Sequence, residues 1–175
     1  MKEQEKCYVN FIFYPDLCVG CGACVAACLD EHDNLPIEKP LLRRLFRGEQ
    51  TTPDGAKLTW YSLACLHCSD PACKAACPKG CFSPDSATGT VQLDNANCIG
   101  CRLCARACPY QAIVFEADGK AAKCDGCVGH LRQGLLPRCV EACPCRAITV
   151  DDQPAVRGPA LERLAEDLRT KQLSL

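Results

Sequence analysis

Apolar positions in this chain come in short bursts, most of them set beside a group of cysteines. Residues 7–14, Cys-Tyr-Val-Asn-Phe-Ile-Phe-Tyr, are aromatic and β-branched without Gly or Pro, which predicts a strand. Leu41 to Arg47 and Leu58 to Ala64 flank Thr52-Pro53-Asp54-Gly55. Proline there presets one backbone angle and glycine accepts a positive one, so a surface β-hairpin is expected. The stretch 82–97 reads as a turn and a short strand, and 112–116 and 146–150 read as two more short strands. Ala26 to His32 is expected to run on as helix, and the eleven residues between Cys127 and Cys139 to form a helical turn or two closed by Gly134 and Pro137. In the tail, Leu161, Leu164, Ala165 and Leu168 recur at helical spacing opposite Glu162, Arg163, Glu166, Asp167 and Arg169, with Pro159 suited to a first turn. An amphipathic helix is expected within 151–175.

Four cysteine motifs punctuate these elements. The third, Cys98-Ile-Gly-Cys101-Arg-Leu-Cys104-Ala-Arg-Ala-Cys108-Pro109, matches the bacterial ferredoxin pattern residue for residue. Three thiolates at this spacing curl around one iron-sulfur cube, and the fourth cysteine, one helical turn further on, serves the neighbouring cube in two-cluster ferredoxins. The first motif, Cys18, Cys21, Cys24 and Cys28, has the same spacing, with Leu29 where the third has Pro109. The second, Cys65, Cys68, Cys73 and Cys77-Pro78, widens the middle gap. Taken alone, the fourth, Cys124, Cys127, Cys139 and Cys143-Pro144, suits zinc as well as iron, but its cysteine-proline-strand exit repeats that of the third. Residues 65–116 thus read as one internally repeated unit. Gly20, Gly22, Gly100 and Gly126 stand beside ligands and let backbone N–H groups approach sulfur. Cys7, Cys81 and Cys145 are left over and read as packed thiols. His67 reads as a hydrogen-bonding residue at a helix start, with a ligand or proton carrier as its alternative.

Composition supports this chemistry. Cysteine makes up 19 of 175 residues, about 11% and above the usual mark of a cysteine-built scaffold. The count is odd and Met1 to Lys6 is charged with no apolar run behind it, which argues against a secreted disulfide framework. No run of about 18 apolar residues predicts a membrane span. No basic block suggests nucleic acid. Without cysteine the hydrophobic share falls from 48% to about 37%, thin for a conventional core. Clusters and their thiolates are expected to fill that space, and the apo chain to be largely unfolded. Four oxidised cubes would carry the formal charge from −1 to about −9. Lys74, Lys79, Arg102, Arg106, Lys123, Arg132, Arg138 and Arg146 lie among the ligands and could offset it, or simply be solvated. Arg43, Arg44 and Arg47 with Trp60 and Tyr61 could dock a partner protein, strand packing being the alternative.

In the order of its motifs the chain resembles the four-cluster iron-sulfur subunits of the dimethyl-sulfoxide-reductase type. The resemblance runs from about Phe11 to Val150 and rests on Cys65-Leu66-His67-Cys68-x-Asp70-Pro71-x-Cys73, Cys98-Ile99-Gly100-Cys101-Arg102, Cys108-Pro109-Tyr110 and Lys123-Cys124-Asp125-Gly126-Cys127. It implies an α+β fold of two ferredoxin-like lobes, 1–32 with 117–150 and 65–116, separated by a hairpin insertion at 33–64 and followed by the tail at 151–175. It also implies the ligand sets. Cys65, Cys68, Cys73 and Cys108 would hold one cluster, and Cys98, Cys101, Cys104 and Cys77 its neighbour. In the other lobe Cys18, Cys21 and Cys24 would join Cys143, while Cys124, Cys127 and Cys139 would join Cys28. Some relatives have tryptophan at one third-motif position and a three-iron cluster; here all sixteen positions are cysteine, so four 4Fe-4S clusters are expected.

The implied role is electron transfer between a catalytic subunit bearing a molybdenum- or tungsten-pterin and a second redox partner, such as a flavin or membrane subunit. Small subunits accompanying tungsten aldehyde oxidoreductases are similar. No acid-base pair or activated nucleophile suggests substrate chemistry in this chain. A free-standing polyferredoxin and a zinc-stabilised interaction module are the competing readings. The expected compartment is the cytoplasm, or the periplasm if the protein is exported folded with a signal-bearing partner.

Overall fold

The structure, a computed structural model, describes residues 9–34, 39–52, 55–151, 166 and 173–174. It is a small α+β protein of short elements. β1 (Asn10–Phe13) leads through a 3-10 turn (Pro15–Leu17) into α1 (Ala23–Glu31). The long hairpin follows as β2 (Arg44–Thr52) and β3 (Gly55–Leu63). Next come α2 (Ala72–Ala75), β4 (Phe82–Pro84), β5 (Val91–Leu93) and α3 (Leu103–Ala107). β6 (Val114–Phe115), β7 (Ala121–Ala122), α4 (Val128–Arg132), α5 (Arg138–Glu141) and β8 (Ile148–Asp151) complete the main body, and β9 (Leu173–Ser174) is a short strand near the C-terminus.

Pairing brings distant parts of the chain together. β1 runs antiparallel to β8 with Phe11 opposite Val150 and Phe13 opposite Ile148. The Tyr14 amide extends the ladder by donating to the Ala147 carbonyl at 2.8 Å. The strand before the first motif is thereby tied to the strand after the fourth. α1 packs on α5 and α2 on α3, so the helices carrying first- and fourth-motif cysteines meet, as do those of the second and third. Glu31, at the end of α1, faces His130 of α4 at 3.3 Å and Arg138 of α5 at 3.8 Å. β4–β5 and β6–β7 are hairpins, and β2 pairs with β3 from Arg44–Leu63 to Thr52–Gly55.

The expected hairpin is present and the expected helix after Ala26 ends at Glu31. β9 has no counterpart in the sequence reading: it adds to the edge of β2 with Gly48 opposite Leu173. The amphipathic helix expected over 151–175 lies outside the described residues except for Glu166, which is helical.

Two apolar clusters hold these elements, and sulfur contributes to both. One gathers Phe11, Phe13, Phe46, Tyr61, Leu63 and Ile148 with Cys24 and Cys139; the other gathers Phe82, Val91 and Ile113 with Cys81 and Cys104. The turn between β4 and β5 is knotted by Asp85. Its Oδ1 accepts from the amides of Ala87 and Thr88 and from the Thr88 hydroxyl, while Oδ2 takes the Arg132 guanidinium from the end of α4. The Val9 amide donates to Thr88 O at 3.1 Å, so this turn also anchors the start of β1.

The hydrogen-bonded Arg132 guanidinium and the Thr88 donors hold the Asp85 carboxyl down at about 2. A carboxyl depressed on folding stabilises the protein above its ordinary pKa, and that contribution is lost as pH falls toward about 2. Asp85→Asn removes a charge-assisted bond and is expected to destabilise the holoprotein by about 1.5–3 kcal/mol at neutral pH. The expected readout is a lower temperature for loss of the visible cluster absorbance.

Candidate iron-sulfur centres

The cysteine loops share one backbone device. The residue just before the second cysteine of each C-x2-C is left-handed in all four motifs: Gly20 (φ +70°), His67 (+49°), Gly100 (+66°) and Gly126 (+80°). This turns its amide back onto the first sulfur. Gly126 N–H donates to Cys124 Sγ at 3.3 Å, and Gly20 and His67 serve Cys18 and Cys65 in the same way. The cysteine-proline exits repeat a second device. Gly80, Gln111 and Arg146, each three residues after its cysteine, are left-handed. The next amide reaches back to sulfur from Cys81 to Cys77 at 3.4 Å and from Ala147 to Cys143 at 3.3 Å. The glycine reading of the sequence is thus met at Gly20 and Gly126, and His67 takes the same left-handed angle without being glycine.

His67 is such a residue, and it is not at a helix start: Pro71 precedes α2. The ring is 3% exposed and lies 5.5 Å from that of Phe11. Nδ1 accepts the Val91 amide at 3.0 Å, which leaves the proton on Nε2. Burial, and then the Lys123 charge, push its pKa well below the ordinary histidine value. Nε2 is buried without a hydrogen-bond partner and faces the Cα of Gly126.

The structure brings motif cysteines from different runs near one another, in four neighbourhoods. Cys18 has Cys24, Cys143 and Cys21 as its charged neighbours. Cys28 faces Cys124, Cys139 and Cys127. Cys73 faces Cys65 and Cys108, and Cys65 faces Cys108 and Cys68. Cys104 faces Cys77 and Cys101, while Cys98 lines the same cavity. Burial, followed by repulsion from neighbouring thiolates, pushes Cys28 and Cys127 up to about 12 and Cys73 up to about 11. Among the described residues the cysteines form no disulfide.

The neighbourhoods also follow one another in space. Cys124 is a neighbour of Cys65, and Cys139 of Cys24. Cys73, Cys77, Cys98 and Cys108 pack in one apolar cluster. The order is therefore the third-motif set, the second-motif set, the fourth-motif set and the first-motif set. Among described cysteines only Cys21 and Cys101 are exposed, and they belong to the two terminal sets.

Two buried cations lie at the junctions. Lys123, 6% exposed, donates to the carbonyls of Val91 and Cys124 and acts on both Cys65 and Cys124. Arg43, 4% exposed, faces Cys139, Cys124, Cys24 and Cys28. Burial alone would lower the Arg43 pKa, but these thiolates more than reverse the effect and raise it. Among the described residues no carboxylate lies within ion-pair distance of either cation. Buried charges need partners, and here the partners are sulfur. The donor set fits iron-sulfur clusters on these grounds: crowded thiolates, amides aimed at sulfur, fixed cations and an orphaned imidazole N–H.

Sequence reasoning places Lys123 among the compensating charges but not Arg43, for which it offers a docking face or strand packing. Arg44 is half-buried, bonded to Gln111 O and 5.3 Å from the Phe46 ring; Tyr61 is buried, and the Trp60 ring covers Gly20. Strand packing is the role observed for Arg44, Trp60 and Tyr61, and Arg47 is exposed. The other proposed compensators sit at the surface or pair with carboxylates, as Arg132 does with Asp85 and Arg138 with Glu141. Cys81 is packed, with its thiol pushed up to about 11 by burial and by Cys77. Cys145 lines the cavity of the first-motif set. Cys7 lies outside the described residues.

Comparison with known proteins agrees with this geometry. The 4Fe-4S dicluster domain family matches residues 56–153, and the 4Fe-4S binding domain family matches residues 11–28. The chain belongs to the 4Fe-4S dicluster family. It is 40% identical over 150 residues to the B subunit of the anaerobic dimethyl sulfoxide reductase of Haemophilus influenzae, covering 79% of this chain and 71% of that subunit. The corresponding B subunit of Escherichia coli K12 is 39% identical over 148 residues with the same coverage. The hydrogenase-2 operon protein HybA of Escherichia coli O157:H7 is 32% identical over 190 residues, covering 90% of this chain and 56% of that protein. This dicluster protein is thus an iron-sulfur electron-transfer subunit of the dimethyl-sulfoxide-reductase type, with four 4Fe-4S clusters as its cofactors.

The Trp60 ring makes one loop of the dicluster protein testable. A Cβ on Gly20 would lie 2.4 Å from Trp60 Cδ2, and Gly20 is already at positive φ. Gly20→Ala is expected to cost about 1–3 kcal/mol in backbone strain alone and to lower iron content through the first-motif set. Trp60→Ala in the same protein removes the clash but not the strain, so iron analysis should show partial recovery.

Proposed function

We propose that this protein carries electrons between a molybdenum- or tungsten-pterin catalytic subunit and a second redox partner, each docking at one end of the row of cysteine sets. The observation that carries the reading is the linear order of four sets, with an exposed cysteine only in the two terminal ones among the described residues. A buried interior set has no direct access to a partner; a terminal one with Cys21 or Cys101 at the surface does. The relatives named as B subunits of dimethyl sulfoxide reductase support an oxidoreductase complex as the setting.

The proposed ligand sets are Cys98, Cys101, Cys104 and Cys77; Cys65, Cys68, Cys73 and Cys108; Cys124, Cys127, Cys139 and Cys28; and Cys18, Cys21, Cys24 and Cys143. Each cluster, when bound, stores one electron at a potential set by local charge, hydrogen bonds to sulfur and burial. The protein's own residues supply those three influences. Amides of Gly20, His67, Gly126, Cys81 and Ala147 point at sulfur; Arg43 and Lys123 bring positive charge; the two apolar clusters keep water out.

Two ferredoxin-like lobes are proposed with them. The β1–β8 ladder and the α1–α5 contact support the lobe of motifs one and four, and the α2–α3 contact supports that of motifs two and three. The β6–β7 hairpin spans residue 116, so we place the division after Ala122.

Anaerobic iron and sulfide analysis of the purified protein is the direct test. About sixteen irons with brown absorbance are expected, and about four zinc ions in a colourless protein would overturn the reading. Removal of iron by chelation after oxidation is expected to abolish the far-ultraviolet dichroism of the folded state, because binding and folding are coupled in small metal domains. Co-purification should recover a pterin-bearing subunit; a stable free monomer would favour a free-standing polyferredoxin.

A further inference from the structure

Arg43 does more than neutralise charge. Its Nη1 donates to Ser62 Oγ at 3.0 Å, and Ser62 Oγ lies 3.2 Å from Cys24 Sγ. A guanidinium has no acceptor, so the serine oxygen accepts from Arg43, and its hydroxyl proton is available to the Cys24 sulfur once that sulfur is the thiolate a cluster would bind. The same guanidinium lies close enough to Cys139 for each charge to act on the other. Cys24 and Cys139 belong to different sets, and Ser62 is 5% exposed, so this bridge is shielded from water. The planar fork of arginine can serve two directions at once, which the single ammonium of lysine cannot do in a fixed geometry.

We propose that Arg43 is the residue that sets and links the reduction potentials of the clusters held by Cys24 and Cys139, acting on the first through Ser62 and on the second directly. This rests on the ligand sets proposed above. Reduction adds one electron and no proton to a cluster, raising its negative charge by one. A fixed cation beside it favours the reduced form and raises the potential, strongly so in a medium of low dielectric. The serine hydroxyl adds a hydrogen bond to one sulfur, which also favours the more negative state. Arg43 is a positioning residue and carries no electron itself.

The test is potentiometric titration of the full holoprotein, followed by electron paramagnetic resonance, with signals assigned through Cys24→Ser and Cys139→Ser. Arg43→Gln is expected to lower the potentials of these two clusters. The reduced-to-oxidised ratio at fixed ambient potential should fall at least tenfold, a shift of about 59 mV for a one-electron couple. The other two clusters should not move. Arg43→Lys should recover part of the shift by restoring charge. Ser62→Ala should lower the Cys24 cluster alone, by less. Unchanged potentials at full iron content, or an equal shift of all four clusters, would overturn the proposal. If Arg43→Gln fails to fold, Ser62→Ala decides, since an unmoved Cys24 cluster contradicts the relay. Failure of the ligand sets is distinguishable: Cys24→Ser and Cys139→Ser would then perturb one and the same signal in the wild-type background.

Discussion

Repulsion among closely packed sulfur anions is the constraint this fold has to satisfy. Thiols of the four motifs are drawn close to one another, and their acid strength falls wherever burial and neighbouring thiolates combine, as at Cys28, Cys73 and Cys127. Left alone, such a set would stay protonated or drive the chain apart. Iron relieves the repulsion by binding the thiolate form, and metal affinity then becomes folding free energy. The helices that follow the second and third cysteine loops and that carry Cys139 are accordingly short. α2, α3 and α5 are four or five residues long, below the length at which a helix is stable by itself, and each carries a cysteine.

The backbone accepts strain for the same end. Left-handed angles at His67, Arg102, Gln111, Cys127 and Arg146 are unfavourable by roughly 1–3 kcal/mol each when the residue is not glycine. At His67 and Arg102 the side chain is fixed elsewhere. The His67 ring is locked by Val91 and Phe11, and the Arg102 guanidinium lies 4.9 Å from the Phe115 ring. Local strain is thus tied to tertiary contact, and a loop that curls around sulfur is held from outside as well as by the metal.

How much of this can be read from the sequence follows from which interactions are local. The motifs are local, so spacing alone picks out the four cysteine runs and the Pro-Asp-Gly turn of the β2–β3 hairpin. The strand before Cys18 and the strand after Cys143 are also legible from composition. Their pairing is not, because periodicity says that a segment is extended and nothing about its partner. Arg43 is misread for a related reason. It adjoins Arg44 just before β2, and a pair of arginines beside aromatic residues resembles an exposed patch. What turns it inward is the set of distant thiolates of Cys24, Cys124 and Cys139, which no neighbouring residue announces. Lys123 is easier, since it adjoins a ligand.

The positions of the two cations follow from the electrostatics of a row of charges. An electron placed on one cluster opposes the arrival of another next to it. For two unit charges about 10 Å apart at an effective dielectric of about 20, that opposition is roughly 1.7 kcal/mol. A chain of four sites would be impeded most in the interior, where each site has two neighbours and no solvent to screen them. Lys123 and Arg43 lie on either side of the fourth-motif set, at its junctions with the second-motif and first-motif sets. Bulk surface charge could not substitute for them, because water screens an exposed ammonium or guanidinium long before its field reaches a buried sulfur. Burial of these two side chains without a carboxylate partner is therefore the arrangement that lets closely spaced anions coexist along one polypeptide.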